Sequence, residues 1–93
     1  MDRDEARPKT AEEYARWINR RIGAEVQQRR TALGLSAYAL AKDAKVTDQT
    51  ILNIEQGENG PHTTTLALVA VRFGTTLAEL ITAAETKAPK NFG

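Results

Sequence analysis

The chain has 93 residues, an apolar fraction of 41% and a formal net charge of +1 at pH 7. This length fits one domain with one small core, and the apolar fraction is typical of a folded protein. The absence of cysteine excludes disulfides and zinc-thiolate sites, the single histidine excludes a His-based metal cluster, and no apolar run approaches the roughly 20 residues of a membrane span.

The chain opens with an arm that leads into a helix. Residues 1–9 alternate acidic and basic side chains, so we expect them to form a flexible arm. Thr10 and Glu13 then form the T-x-x-E pattern of a capping box, in which the two side chains accept backbone N–H groups of the first turn. We therefore expect a helix that begins at Ala11.

The first helix is predicted to be unusually long. Large apolar residues recur at every fourth position and form a single stripe, at Tyr14, Ile18, Ile22 and Val26. Gly23 either interrupts this helix or only weakens it, since one glycine inside a helix costs about 1 kcal/mol. The helical pattern continues to about Leu33, and Gly34 supplies a C-terminal stop.

The segment 35–57 has the spacing of two short helices joined by a tight turn. Ser36 is a good N-cap for a helix over 37–44, and Thr47 is a good N-cap for a helix over 48–56. Small and apolar residues fall on the faces where these two helices would cross and pack, at Leu40, Ala41, Ala44, Val46, Ile51 and Ile54. The predicted motif spans about residues 36–57.

Two further helices follow this motif. The loop over 58–62 is rich in turn residues, and a fourth helix is expected to begin in the threonine run 63–65 and to end at Gly74. Thr76 caps a fifth helix that runs from Leu77 to about Ala84.

The five predicted helices form one domain over residues 10–84. Residues 85–93 contain a proline, and we expect them to form a flexible tail. Because no strand pattern and no internal repeat appear, the predicted fold class is all-α.

The third predicted helix exposes a polar face once its apolar positions are buried. The exposed positions are Asp48, Gln49, Leu52, Asn53 and Gln56. Gln and Asn side chains form bidentate hydrogen bonds with adenine, Asp accepts from cytosine N4, and a helix fits the major groove. Gln49 and Asn53 also lie one turn apart on one stripe. This face is typical of a DNA-reading helix. The alternatives are a solvated surface and, for Asp48, an electrostatic role at the helix N-terminus.

The chain resembles the phage-repressor family of helix-turn-helix proteins (Cro/cI type, also called XRE-like) over about residues 20–82. The matching residues are Ile22-Gly23, Val26, Arg30, Gly34-Leu35-Ser36, Leu40-Ala41, Ala44, Val46-Thr47, Thr50-Ile51, Ile54-Glu55, Gly57, Leu66, Leu68, Ala70, Gly74, Leu77 and Leu80-Ile81. The resemblance implies a five-helix, lambda-repressor-like DNA-binding domain, here with an extended N-terminal helix. It also implies a dimer on a palindromic operator in double-stranded DNA.

The resemblance implies roles for individual residues. Carried over by position, the residues that face bases are Asp48, Gln49 and Asn53. Those that approach phosphates are Ser36, Thr47, Thr50 and Gln56. Arg30 and Glu55 match a structural ion pair that ties the first helix to the third.

The sequence departs from the family pattern at several positions. Lys45 stands where glycine is usual, and a left-handed conformation there would cost about 1–2 kcal/mol unless Lys45 offsets it by reaching a phosphate. Leu52 is expected to be an exposed apolar side chain that meets a thymine methyl group or a protein partner. Ala37 stands where glutamine is usual, which removes one contact, and the first 19 residues lie outside the pattern.

Positive charge is concentrated on the first predicted helix and not on the third. Residues 14–30 carry five arginines and one acid, whereas residues 46–71 carry three acids and no lysine or arginine. Three of these arginines either contact phosphates or form a solvated face, at Arg16, Arg20 and Arg21. Trp17, on the same helix, either packs in the core or contributes to a dimer seam.

The sequence leaves two functions open. The favoured one is a sequence-specific regulator that binds double-stranded DNA as a homodimer. The alternative is an antitoxin or adaptor that keeps the fold and binds a protein partner, as the acidic stretch 46–71, Leu52 and Trp17 indicate. No nucleophile–base pair, metal set or phosphate loop appears, so we expect no enzyme, metal or cofactor. We expect a cytoplasmic, nucleoid-associated protein, because the charged N-terminus lacks the apolar centre of a signal peptide.

Overall fold

The computed structural model describes residues 8–58 and 60–86, which form five α-helices. These are α1 (Ala11–Ala32), α2 (Ala37–Ala44), α3 (Asp48–Gln56), α4 (Thr63–Arg72) and α5 (Leu77–Thr86). The predicted all-α, five-helix fold is confirmed in this part of the chain. Most of the predicted arm and tail, residues 1–7 and 87–93, lies outside the described residues.

Hydroxyl side chains define the starts of four helices. The N-cap oxygens accept from the backbone N–H three residues later: Thr10 from Glu13 at 3.1 Å, Ser36 from Ala39 at 3.0 Å, Thr47 from Thr50 at 3.2 Å and Thr76 from Glu79 at 3.1 Å. The capping box at α1 differs in one respect, because the Glu13 carboxylate accepts from the N–H of Lys9 at 2.7 Å. Short-range hydrogen bonding thus places the helix starts where the sequence predicts them.

One hydrophobic core joins all five helices. α1 packs against α3 and α5, α2 packs against α3 and α4, and α4 also contacts α5. The most deeply buried large side chains of this core are Val26, Leu40, Ile51, Val69 and Leu80. The 36–57 segment is therefore packed on both sides, because α1 contacts its second helix, α3, and α4 contacts its first helix, α2.

The N-terminal half of α1 packs along the last helix. Trp17 is only 4% exposed, and its ring lies against that of Tyr14, with 5.7 Å between the ring centroids. The Tyr14 hydroxyl donates to the Glu85 carboxylate at 2.6 Å. Trp17 is therefore a packing residue within one chain. α5 also runs on to Thr86, past the predicted end at Ala84.

Gly23 sits at the closest approach of two helices and does not interrupt α1. A Cβ atom on Gly23 would lie 2.2 Å from the carbonyl oxygen of Ile54 and 2.7 Å from that of Glu55. Both oxygens belong to the backbone near the end of α3, so neither can rotate away. Only glycine permits this spacing, which fixes the position of α3 relative to α1.

No single helix in the described residues is long and apolar enough to cross a membrane. Only α4 and α5 taken together reach such a length and composition, and the chain bends by 91° between them.

Candidate nucleic-acid interface

The turn between α2 and α3 passes through a left-handed lysine. Lys45 has φ 62° and ψ 40°, and it is the one non-glycine residue with positive φ among the described residues. Its N–H donates to the Lys42 carbonyl at 3.3 Å, and the next N–H, of Val46, donates to the Ala41 carbonyl at 3.0 Å. The turn thus satisfies the last carbonyls of α2 and sends the chain directly into α3.

The side of α3 that points away from the core carries five positions, here called the reading face: Asp48, Gln49, Leu52, Asn53 and Gln56. Asp48, Gln49 and Gln56 are exposed, and Asn53 is half-buried. Leu52 is also half-buried, so the expectation of an exposed leucine was wrong. Glu55, three residues further along α3 and on the same side of the helix, is ion-paired to Arg30 of α1, so Leu52 lies at the border of the packed face.

Two side-chain amides on the reading face bond to each other. The Gln49 Nε2 group donates to Asn53 Oδ1 at 2.9 Å, one helical turn away. This contact orders two long polar side chains before any ligand arrives. It leaves the Gln49 oxygen and the Asn53 amino group free to accept and donate outward.

The hydroxyls predicted to approach phosphates lie at helix N-termini. Ser36 and Thr47 are exposed N-caps of α2 and α3, and half-buried Thr50 places its hydroxyl 3.0 Å from that of Thr47. The cap oxygen of Ser36 accepts from the backbone, so its O–H proton is available to donate outward, whereas one of the Thr47 and Thr50 hydroxyls donates to the other. Helix N-termini also carry positive partial charge, which favours an anion.

Arg30 and Glu55 form a two-point ion pair between α1 and α3. Arg30 Nε lies 2.6 Å from one Glu55 oxygen, and Nη2 lies 3.1 Å from the other. Nη1 also donates to the Leu35 carbonyl at 2.9 Å, in the link between α1 and α2. The hydrogen bond to Glu55 raises the pKa of Arg30 above its usual value. This single side chain therefore fixes both helices of the 36–57 segment onto α1.

Sequence reasoning missed Tyr38 as a surface residue of this motif. Tyr38 is 64% exposed and, with Lys42, Thr47 and Asp48, lines a notch of about 310 Å³ between α2 and the start of α3. The signal was available, because Tyr38 and Lys42 are four residues apart and lie opposite the buried face of α2.

A smaller cleft of about 150 Å³ lies at the other side of α3. It is bordered by Thr50 and Asn53 of α3 and by His62 and Thr65 at the start of α4. The notch and this cleft flank the reading face on its two sides. α3 itself carries Asp48 and Glu55 and no cation.

Two short helices joined by a tight turn, with a polar outward face on the second, define a helix-turn-helix DNA-binding domain. The chain belongs to the helix-turn-helix family HTH_3 (XRE family), whose sequence profile matches residues 26–80. DNA binding in transcription regulation is the role of this family.

Two solved structures share the fold. Both are crystal structures of the clp gene regulator ClgR from Corynebacterium glutamicum, and both are 21% identical to this chain. One has a TM-score of 0.72 and covers 76% of this chain and 76% of its own. The other has a TM-score of 0.70 and covers 77% and 92%. Among curated proteins, no sequence matches the chain significantly.

Proposed function

We propose that this protein is a sequence-specific transcriptional regulator that binds an inverted-repeat operator as a dimer, with α3 in the major groove. The observation that carries the proposal is the amide pair of Gln49 and Asn53 on the reading face, whose side chains are joined by a hydrogen bond of 2.9 Å. The opposite side of α3 is anchored to α1 by the ion pair of Glu55 with Arg30. As a regulator of this kind, it acts in the cytoplasm at the nucleoid, as a binding protein and not as an enzyme.

The amide pair has the hydrogen-bonding groups that adenine needs. In the major groove adenine presents the N7 acceptor and an N6 amino donor. The free Gln49 oxygen accepts from N6, and the Asn53 amino group donates to N7. In the proposed complex Asp48, which is exposed at the first position of α3, accepts from the N4 group of a cytosine, and the partly exposed Leu52 meets a thymine methyl group.

Phosphate contacts in this arrangement come from the flanks of the reading face. Ser36 and the turn residue Lys45 lie on the α2 side, and Thr47 and Thr50 lie at the start of α3. Gln56 is exposed at the C-terminal end of α3. These contacts orient the domain, while the amide pair supplies the sequence preference.

The first test is a selection from a random duplex library with the purified protein. We expect an enriched inverted repeat with half-sites about one DNA turn apart, because a dimer presents two copies of α3 to one face of the duplex. No enrichment would contradict the proposal.

The second test uses Gln49→Ala and Asn53→Ala on the selected duplex. Each should lose about 1–3 kcal/mol of binding free energy on the operator and little on random DNA. Gln27→Ala removes an exposed amide from α1 and serves as the matched control. Equal losses on both DNAs would show that these amides do not read bases.

A protein-binding adaptor or antitoxin is the second candidate function. Exposed apolar side chains favour it, since Leu33, Tyr38 and Val71 are 52%, 64% and 70% exposed. The half-buried Leu52 no longer supports it as strongly. Salt-labile binding without sequence preference in the library selection, together with a defined complex with a partner protein, would favour this candidate.

A further inference from the structure

We propose that Arg16 and Arg20 of α1, here called the arginine pair, form a second contact surface for the phosphates of the DNA backbone. The surface adjoins the C-terminal end of α3. This inference rests on the proposed function, since it assumes that α3 enters the major groove, and it adds a binding surface outside the helix-turn-helix motif.

The geometry places Arg20 next to the C-terminal end of α3, and Arg16 lies one turn earlier on the same face of α1. Gly57 ends α3, and a Cβ atom there would lie 2.9 Å from the Cα and Cγ atoms of Arg20. The Asn19 amide lies within 3.7 Å of the corresponding position on Gly60. α1 therefore lies directly on the segment that follows α3, with Arg20 against Gly57, the residue after the last position of the reading face.

The charges of the arginine pair are not used inside the fold. Among the described residues, Arg29, Arg30 and Arg72 make ion pairs with carboxylates. Arg16 and Arg20 are exposed, and their guanidinium groups form no hydrogen bond or ion pair with any described residue. They are four residues apart, so they lie side by side on one face of α1.

A phosphate is the ligand that these charges fit. α3 brings no cation to DNA, and its C-terminal end carries the negative end of the helix dipole followed by exposed Glu58. Without a neighbouring cation this end would repel the backbone. The major groove is about 12 Å wide and a helix with its side chains is about as thick, so the groove-edge phosphates come within reach of an arginine beside α3. Guanidinium groups bind phosphate with paired hydrogen bonds.

The test compares the salt dependence of binding for the wild type and for the double variant Arg16→Gln/Arg20→Gln. Affinity is measured by fluorescence anisotropy on the selected operator and on a random duplex over a range of salt. We expect the slope of log affinity against log salt to fall by about 3.6, since the proposed dimer loses four phosphate contacts and each lost contact removes about 0.9. The loss should be equal on both duplexes, because phosphates carry no sequence information.

Two control variants and a stability measurement distinguish a direct phosphate contact from an effect of net charge and from a loss of folding. Arg72→Gln removes one exposed cation whose partner is Asp43, and it lies at the far end of α4 from the reading face. The salt slope of Arg72→Gln should stay at the wild-type value. If the slope of this control fell as much per arginine as that of the double variant, the effect would come from net charge alone, and the proposal would be overturned. Arg16→Lys/Arg20→Lys keeps the charge and should keep most of the slope. An unchanged thermal midpoint verifies folding.

The outcomes distinguish this inference from the proposed function. If the wild type selects an operator and the double variant keeps its slope, the arginine pair is not at the DNA and only this inference fails. If the wild type selects no operator but loses slope in the double variant, the surface stands and the sequence-specific function fails. If the wild type binds neither duplex, both fail.

Discussion

At the scale of single residues, the turn residue Lys45 combines strain with a candidate contact. Its φ of 62° lies in the left-handed region, where a residue with a Cβ atom pays about 1–2 kcal/mol. A glycine would relieve that strain but would lose about 0.5–1 kcal/mol through the greater freedom of the unfolded chain. The strain term is the larger of the two.

We therefore expect Lys45→Gly to raise the free energy of unfolding by up to about 1 kcal/mol, as measured by urea denaturation. The same variant should weaken DNA binding and lower the salt slope by about 1.8, because it removes one cation beside each α3 of the proposed dimer. Lys45→Ala is the control, since it removes the charge and keeps the Cβ atom. A glycine variant less stable than the alanine variant would show that the turn is not strained.

The sequence predicts which residues occupy the reading face, but it does not predict the contacts that their side chains make. The position of Gln49 and Asn53 on one stripe follows from helical periodicity alone. Their mutual hydrogen bond and the partial burial of Leu52 depend on side-chain conformation and on packing from other helices. Local sequence pattern contains neither of these.

At the scale of helices, the contact between α1 and α3 depends on a missing side chain. Gly23 lies inside a helix, where alanine is normally the better residue by about 1 kcal/mol. Here the backbone carbonyl of Ile54 occupies the space that a Cβ atom would need. The steric term therefore opposes the helix propensity and exceeds it.

We expect Gly23→Ala to lower the free energy of unfolding by at least about 1–3 kcal/mol, which is the typical cost of overpacking a core. Gly34→Ala is the matched comparison, because Gly34 has φ 71° but no atom near its Cβ position, so strain alone acts there. Thermal unfolding of both variants, followed by circular dichroism, measures the difference. A Gly23→Ala protein as stable as the wild type would contradict the close approach.

Helix boundaries were predictable because caps act over three or four residues. Thr10, Ser36, Thr47 and Thr76 each fix a helix start through a hydrogen bond within their own turn. The end of α5 was predicted two residues early, because Glu85 accepts a hydrogen bond from a residue 71 positions away. The burial of Trp17 is likewise set by this distant packing and has no local signal.

At the scale of the whole molecule, the first and last helices are joined near the two ends of the described chain. The link is the hydrogen bond between Tyr14 and Glu85. It raises the pKa of the Tyr14 hydroxyl above its ordinary value of 10.0, with smaller contributions from burial and from the negative charge of Glu85. Folding therefore favours the neutral form of Tyr14.

A raised pKa in the folded state means that this stabilisation is complete below pH 10 and is lost as the pH rises through the folded value. We expect the wild type to lose more stability than Tyr14→Phe between about pH 10 and about pH 12. The effect should be small, since Tyr14 is 39% exposed. Thermal midpoints across this range measure it.

Tyr38→Phe is the control, because the Tyr38 hydroxyl has no partner among the described residues. Its pH profile should follow that of the wild type. Identical alkaline profiles for the wild type and Tyr14→Phe would show that the hydrogen bond does not stabilise the fold.

The anchoring of α3 separates the residues that hold the helix from the residues that face outward. Ile51, Ile54 and Glu55 hold it against α1 and the core, whereas Gln49 bonds only within the reading face. Changes at the exposed outward positions Asp48, Gln49 and Gln56 therefore carry little penalty in folding. A new operator preference is accessible to mutation one side chain at a time, so duplicated copies of such a gene can diverge in the sites they recognise while keeping one scaffold.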